Sequence, residues 1–502
     1  MATPRNRSRR RPHAGVALVA VALLLTACGS RADDALRQQA AQAALTGGGG
    51  SGTGTGLGDG TTGGGGTGGA GSGPGAASGP GTTVGGGTGG TSGGSTGTTS
   101  GKAGGPSGST GGVGGAAPAG GNGGATDVGV TATSLTVGNV AVLSGPVPGL
   151  FQGAVIGTQA YFAKVNSQGG VFGRQLKLAI GDDQLDCGQN KSQTQALAKK
   201  VFAFVGSFSL YDDCGADVLS ANPAIPDVHG ALGPKSQKLP NNFSVAPLGP
   251  GWRTGPLTYL KQKYGAKFQH IGAIYANVGT GPTIWKNTAA TIQHMGGAVV
   301  SQHPYGATDT DFTGTVVQMR SDGVQMIYVN TTDGATTARF VNALRSQNVD
   351  WPIIFGGTAY DSNFLKQAGA NAEGVYNDAQ FSMFFNADEA GRIPAVADFQ
   401  KWTDVVAKGE TKDIFAAYGW ASAQLFVQAL KAAGPKAKRA DVMAQLRKVH
   451  KFDADGLLAP ADPAGKSPAT CWIYTVVKGG KFVRVDTPAT TYRCDGTYYR
   501  AS

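Results

Sequence analysis

The chain has 502 residues, 83 of them glycine, with a formal net charge of +11 and only 15% charged residues. Nearly half of the glycines lie between Gly47 and Gly124 among Ser, Thr and Ala, and such a run buries too little apolar surface to offset the entropy of ordering it. The folded part is therefore roughly Asp127 to Ser502, about two average domains, and its thinly spread charge excludes a nucleic-acid footprint, which would show Lys and Arg clustered with aromatics.

Residues 1–27 join a basic start (Arg5, Arg7, Arg9, Arg10, Arg11) to an apolar stretch from Ala14 to Leu25. That stretch is short for a bilayer span and reads as a cleaved export signal. Leu25-Thr26-Ala27-Cys28 resembles the bacterial lipobox, in which the cysteine becomes the lipidated N-terminus. This predicts an exported chain held through Cys28 at the outer face of the cytoplasmic membrane. An ordinary secretory signal with a chance cysteine is the alternative, and a twin-arginine signal lacks its usual pattern here. Residues 28–45 would hold the lipidated terminus and a short helix, and residues 46–126 a disordered Gly/Ser/Thr-rich linker. A Gly-rich coil of about 80 residues has an r.m.s. span of roughly 50 Å. The GxSxG and GxGxxG patterns inside it carry no chemistry, because such motifs need a strand before and a helix after.

From Ser134 onward short apolar runs alternate with amphipathic segments. Strands are predicted at 135–143, 175–183, 201–206 and 225–232, with helices at 153–166, 189–200 and 212–220 between them. The rhythm restarts with strands at 270–277, 297–305, 324–330 and 352–357, and helices at 282–295, 311–321 and 334–347. Helices at 414–433 and 439–449 follow, then a hairpin in "CWIYTVVKGGKFVRV" with Gly479-Gly480 at its turn. Repeated β-α-β units predict an α/β fold of two doubly wound parallel-sheet lobes, with ligand bound beyond the strands' carboxyl ends.

Ser144-Gly145-Pro146 after the first strand, then Asn166, Gly169, Gly170, Gly173 and Arg174, then Asp182-Asp183, form an ordered series. With "VFAFVGS", "PAIPDV", "TDTDF", "PIIFGGTAY", "GVYNDAQF" and "AAYGWASAQLFVQALKAAG" it resembles the branched-chain amino-acid-type substrate-binding lipoproteins of ABC transporters, which have the type I periplasmic-binding fold. The likeness runs from about Leu135 to Val485. It implies a ligand cleft between two lobes, one of 127–246 plus 380–453, the other of 247–379 plus 454–502. Three crossovers would lie near 243–247, 375–381 and 452–458. It further implies capture of a small polar solute, an amino acid or related amide or carboxylate, by hinge closure. Delivery to the permease of an ABC importer would follow. No cofactor, metal or nucleic acid is implied.

The family often bridges the position of Cys187 and Cys214, and Cys471 and Cys494 flank the hairpin, so two disulfides are expected in an exported chain. A zinc site is the rival, but no histidine sits at ligand spacing beside either pair. The family's contact positions correspond here to the turn from Ser144 to Phe151, to Ser207, Phe208 and Ser209, and to Gly230 and Ala231. From the second lobe come Thr280, Asn330, Thr331, Thr358 and Tyr360. Two departures stand out. Amino-acid binders carry Tyr-Gly where this chain has Thr280-Gly281, and an acid for the ligand's ammonium where it has "VNTTDG", leaving only Asp333. A solute without an ammonium group therefore stays open. Any single Ser or Thr among these positions is as readily a helix cap.

Three classes remain: importer receptor, tethered sensor or adhesion module, and hydrolase. Against an enzyme, no histidine forms HExxH or pairs with an obvious nucleophile. His229 ends a predicted strand at the cleft, either touching ligand or satisfied within its lobe. "GKS" at Gly465 has Pro460 where a P-loop needs glycine. Asp182 and Asp183 point to opposite faces of a strand, and Asp212-Asp213 opens a helix, where acids complement the dipole.

Overall fold

The computed structural model describes residues 115–501 apart from 331, 411 and 487–491. Strand β1, Ser134–Ala141, is buried on both faces, as a central parallel strand is. It pairs in register with β2, Gln175–Asp182, from Ser134 opposite Gln175 to Ala141 opposite Asp182. Strands β3 (Phe204–Val205) and β4 (Asp227–Val228) complete a parallel sheet of order β2-β1-β3-β4. Both are only two residues long, much shorter than their apolar runs. The buried Asn139 side chain donates to the Val205 carbonyl and so holds β3 to β1.

After β5 (Gly251–Arg253), strands β6 (Ile271–Ala276), β7 (Val299–Tyr305), β8 (Met326–Val329), β9 (Ile353–Phe355) and β10 (Tyr376–Ala379) run parallel. The hairpin of β11 (Ile473–Lys478) and β12 (Lys481–Arg484) then adds antiparallel to β10, giving the order β12-β11-β10-β9-β8-β6-β7. The second sheet is thus mixed at one edge rather than wholly parallel. Gly479 and Gly480, both at positive φ, make its turn. Strand β13, Tyr498–Arg500, pairs antiparallel with β5 in a small separate sheet.

Helix Ile414–Ala433 returns from the second sheet to pack on helix Gln152–Ser167 over the first. The two backbones nearly touch. A Cβ at Gly157 would overlap the Ala416 carbonyl, and one at Gly419 the Ala154 carbonyl. Helix Pro394–Val406, which the sequence reading lacks, lies on the same surface and places Asp398 2.6 Å from Lys164. Both cysteine pairs are disulfides, with Cα atoms 5.5 Å apart in Cys187–Cys214 and 4.1 Å apart in Cys471–Cys494.

The Asn-x-x-Gly-Gly series is fold machinery. Asn166 exchanges two hydrogen bonds with the Leu176 backbone, and Gly170 sits at a φ of +76°. Arg174, buried, donates to the carbonyls of Thr131, Gly124 and Pro435. Residues 115–126, within the stretch that composition reads as linker, join this arrangement. Gly115 exchanges backbone bonds with Gly170 and Gly173, and the Asn122 amide donates to Ala132 and Phe172. Composition hides this because most of those contacts involve only main-chain atoms of the segment. Residues 1–114, with Cys28 and its signal, lie outside the described residues.

Candidate functional site

The carboxyl ends of β6, β8, β9 and β10 face the loops after β1, β3 and β4 across a cavity of about 170 Å³. On the first-sheet side Phe151, Phe208 and Phe415 form a ring triad, with centroids 4.7–4.9 Å apart. Tyr418 stacks beyond Phe208 at 6.2 Å. Gly230 also lines the cavity, and a Cβ there would come within 2.6 Å of the Phe208 ring. On the other side Tyr275 stacks on Trp285 at 6.0 Å, beside Ile284. Leu210, Leu232, Val245, Leu248 and Ile414 add aliphatic wall. A second cavity of about 170 Å³ shares Leu232, Leu248, Trp252 and Ile284 with the first.

The polar part of the wall is small. Asn330, Thr332 and Thr358 supply neutral groups at the ends of β8 and β9. Arg253 and Asp378 are its charged members, and they pair at 2.6 Å, both buried. The Arg253 guanidinium also donates to Gln380 at 3.1 Å and lies 4.7 Å over the Trp252 ring. Asp378 takes a further hydrogen bond from the Tyr328 hydroxyl, which accepts one from the Trp252 indole. Burial works against the charged guanidinium, but Asp378 more than offsets it and holds the Arg253 pKa above its ordinary value.

Of the residues expected from sequence, Phe151, Phe208, Gly230, Asn330 and Thr358 line this cavity. Ser144 is exposed and hydrogen-bonds Asp182, fixing the turn after β1. Ser207 accepts from the Val140 amide at 3.0 Å, and Ser209 donates to the buried Asp183 carboxylate. Ala231 is buried but off the cavity wall. Thr280 donates its amide to the Leu210 carbonyl at 2.9 Å, linking the loop after β6 to the loop after β3. Its buried hydroxyl has no hydrogen-bond partner. Tyr360 lies in a core cluster with Phe381, Phe384, Phe385 and Phe482, its hydroxyl accepting from the Phe385 amide. Thr331 lies outside the described residues.

Asp333 caps helix Gly334–Ser346 and accepts from Thr332 and Thr336, so its carboxylate is spoken for. His229 is held within the first sheet's half by an ion pair, although its buried Nε2 makes no hydrogen bond. Its Nδ1 lies 2.7 Å from both Asp227 carboxylate oxygens, and its Nε2 3.7 Å from Asp212, too long for a hydrogen bond but close enough for attraction. Asp212 and Asp213 open their helix as expected, and their carboxylates also take backbone amides from residues 232–236.

With both sheets feeding one cleft, relatives can be compared. The periplasmic binding protein family model matches residues 134–481, both sheets and the cavity between them. The chain belongs to that family. It is 24% identical over 293 residues to Leu/Ile/Val-binding protein homolog 1 of Brucella suis biovar 1 (strain 1330), covering 57% of this chain and 76% of that one. The fold matches the fatty acid ABC transporter substrate-binding protein from Thermomonospora curvata at a TM-score of 0.61 and 19% identity, over 75% of this chain and 94% of that one. It also matches the branched-chain amino acid transporter substrate-binding protein LivJ from Streptococcus pneumoniae, solved with isoleucine, at 0.56 and 19%, over 70% of this chain and all of that one. This periplasmic binding protein thus has the type I architecture that the Ser-Gly-Pro to Asp-Asp series implies. Among the described residues no helix is long and apolar enough to cross a membrane.

Sequence reasoning missed Trp252, Arg253, Trp285, Asp378, Gln380 and Tyr418, all on the cavity wall. The short "GWR" stood outside the β-α-β rhythm, and "GVYNDAQF" gave only a family likeness. An arginine beside a tryptophan in a segment without helical or strand period was the available signal.

Proposed function

We propose that this periplasmic binding protein captures a small solute in the cavity between its sheets and delivers it to the permease of an ABC importer. Hinge closure of the two lobes would bury the ligand and create the surface that the permease reads. The supporting observation is that strand ends of both sheets converge on one cavity walled by aromatic rings with a few polar groups, as small-molecule sites are. Its wall is more apolar than a polar solute would need. Similar proteins include one named for Leu/Ile/Val and, in fold, one named for fatty acids, both ligand classes with an apolar body.

The lobes would comprise 127–246 with 380–453, and 247–379 with 454–502. Packing of helices Pro394–Val406 and Ile414–Ala433 on Gln152–Ser167 supports this division. The chain would be exported, cleaved before Cys28 and lipid-anchored there, with the Gly-rich segment as tether. Ligand-induced thermal shift across amino acids, amides, carboxylic acids and sugars tests the binding reading. A rise in melting temperature with one class is expected, and none with any class refutes it. Membrane fractionation of Cys28→Ala tests the anchor: release from the membrane with ligand binding intact is expected, and retention refutes the anchor alone.

A further inference from the structure

The charges on the cavity wall narrow the solute further, given that it binds there at all. A free amino acid brings an ammonium that needs an acceptor, best an unpaired carboxylate. Asp378 is the wall's carboxylate, and it is committed to Arg253 at 2.6 Å and to Tyr328 at 3.0 Å. Asp333 is committed to its helix cap and to two threonines. An ammonium in this cavity would therefore be desolvated without a free counter-charge, which is expensive.

The cation is differently placed. Arg253 has five N–H donors, of which one meets Asp378 and one meets Gln380. Its Nε–H has no partner, although the side chain is only 7% exposed and lies on the cavity wall. A buried guanidinium with unspent donors calls for an acceptor, because leaving such a group unsatisfied costs more than a neutral one. Each Asp378 oxygen already accepts a hydrogen bond, one from Arg253 and one from Tyr328, whereas three of the five guanidinium donors are unspent. Around it stand Trp252, Tyr275, Trp285, Phe208 and Tyr418, enough wall to cover a ring or a branched chain. A dry cavity of about 150 Å³ takes a benzene-sized body, and this one is of that order at about 170 Å³.

We propose that the solute is a monocarboxylate with an apolar aromatic or branched body and no ammonium group. Its carboxylate is held by the free donors of Arg253 and its body by the aromatic walls. The inference rests on the solute-binding reading above and selects among its ligand classes.

The test is isothermal titration of the purified mature chain with three matched compounds: isocaproate, leucine, which is its amino derivative, and isocaproamide, its neutral amide. Hydrocinnamate and phenylalanine repeat the comparison with an aromatic body. The acids should bind about ten- to a hundredfold tighter than either analogue, the value of one charge-assisted hydrogen bond. The double variant R253M/D378N removes both charges and keeps an acceptor for Tyr328. It should bind isocaproate and isocaproamide alike. Should it fail to fold, the acid, amide and amino-acid ratios of the unmodified chain decide by themselves. Leucine or the amide binding as tightly as the acid overturns the carboxylate assignment while leaving the solute-binding reading intact. A variant that folds and still prefers the acid overturns the role of Arg253. If none of the five binds and the wider panel of sugars and amides also fails, the solute-binding reading falls and takes this proposal with it.

Discussion

Replacing His229 with glutamine should destabilise the fold strongly, although the residue makes no proposed contact with ligand. The ring is buried between Asp227, with both carboxylate oxygens 2.7 Å from Nδ1, and Asp212 at 3.7 Å from Nε2. Burial alone would discharge the imidazole, but the charges of Asp227 and Asp212 outweigh it and lift the pKa from 6.5 to about 10. Without the cation Asp227 keeps the Asn242 amide at 2.9 Å and a longer-range attraction to Lys466, and breaking a buried pair in this way costs about 3–5 kcal/mol. Because the folded pKa is raised, the contribution is fully present below pH 6.5 and is lost as pH rises through 10. Urea unfolding of the wild type and His229→Gln across that window should therefore show a gap that is widest near pH 6.5 and shrinks toward pH 10. The double variant H229Q/D227N, which removes the stranded charge as well, should recover most of the loss. A gap below about 1 kcal/mol at pH 6.5, the scale of an exposed pair, or one that does not change with pH, would refute a charged buried histidine.

Two further outcomes are expected. Asp361 and Asp413 cap helices Ser362–Ala368 and Ile414–Ala433, and burial raises their pKa values to about 6 and about 7, with the charge of Asp361 adding at Asp413. A raised carboxyl pKa means stability present at acid pH and lost as pH rises through those values. The variant D361N/D413N, which keeps both caps, should flatten the fall in melting temperature between about pH 4 and pH 7; an unchanged profile would exclude both carboxyls as its source. The Cys187–Cys214 disulfide closes a loop with a sequence separation of 27, worth about 3.5 kcal/mol in the chain-entropy model. C187A/C214A should lower the urea midpoint accordingly while leaving ligand affinity unchanged, and an unaltered midpoint would show that the reduced chain is already constrained there.

Much of the framework was legible because its signals are local. Short continuous apolar runs, amphipathic runs of period 3.6 and Gly479-Gly480 each act within a few residues, so they located eight strands, most helices and the terminal hairpin. Part of the Ser-Gly-Pro to Asp-Asp series belongs to the same class, since Asn166 and Gly170 meet Leu176 and Arg174 a few residues on, whereas Arg174 itself reaches Thr131 and Pro435. Strand length was not legible. The run "VFAFVG" is apolar because Phe202 and Phe204 are buried in the core, yet only Phe204–Val205 lies in β3.

The site divides along the same line. Phe151, Phe208 and Gly230 were found because family likeness placed their loops at strand ends. Ser144, Ser207 and Ser209 stand at those ends too, but spend their hydroxyls on Asp182, Val140 and Asp183 of their own lobe. Tyr360 carries the right chemistry and is drawn into the core by four phenylalanines. The sequence by itself determined most of the segments that become strands and helices, though not helix Pro394–Val406 or strand β5, and which loops gather at one edge. Only the tertiary structure decided the cavity's chemistry. Arg253 meets Asp378 across 125 residues, and Tyr328 joins them from a third strand. No local pattern encodes such a pairing, because its energy exists only once burial has removed water from both charges.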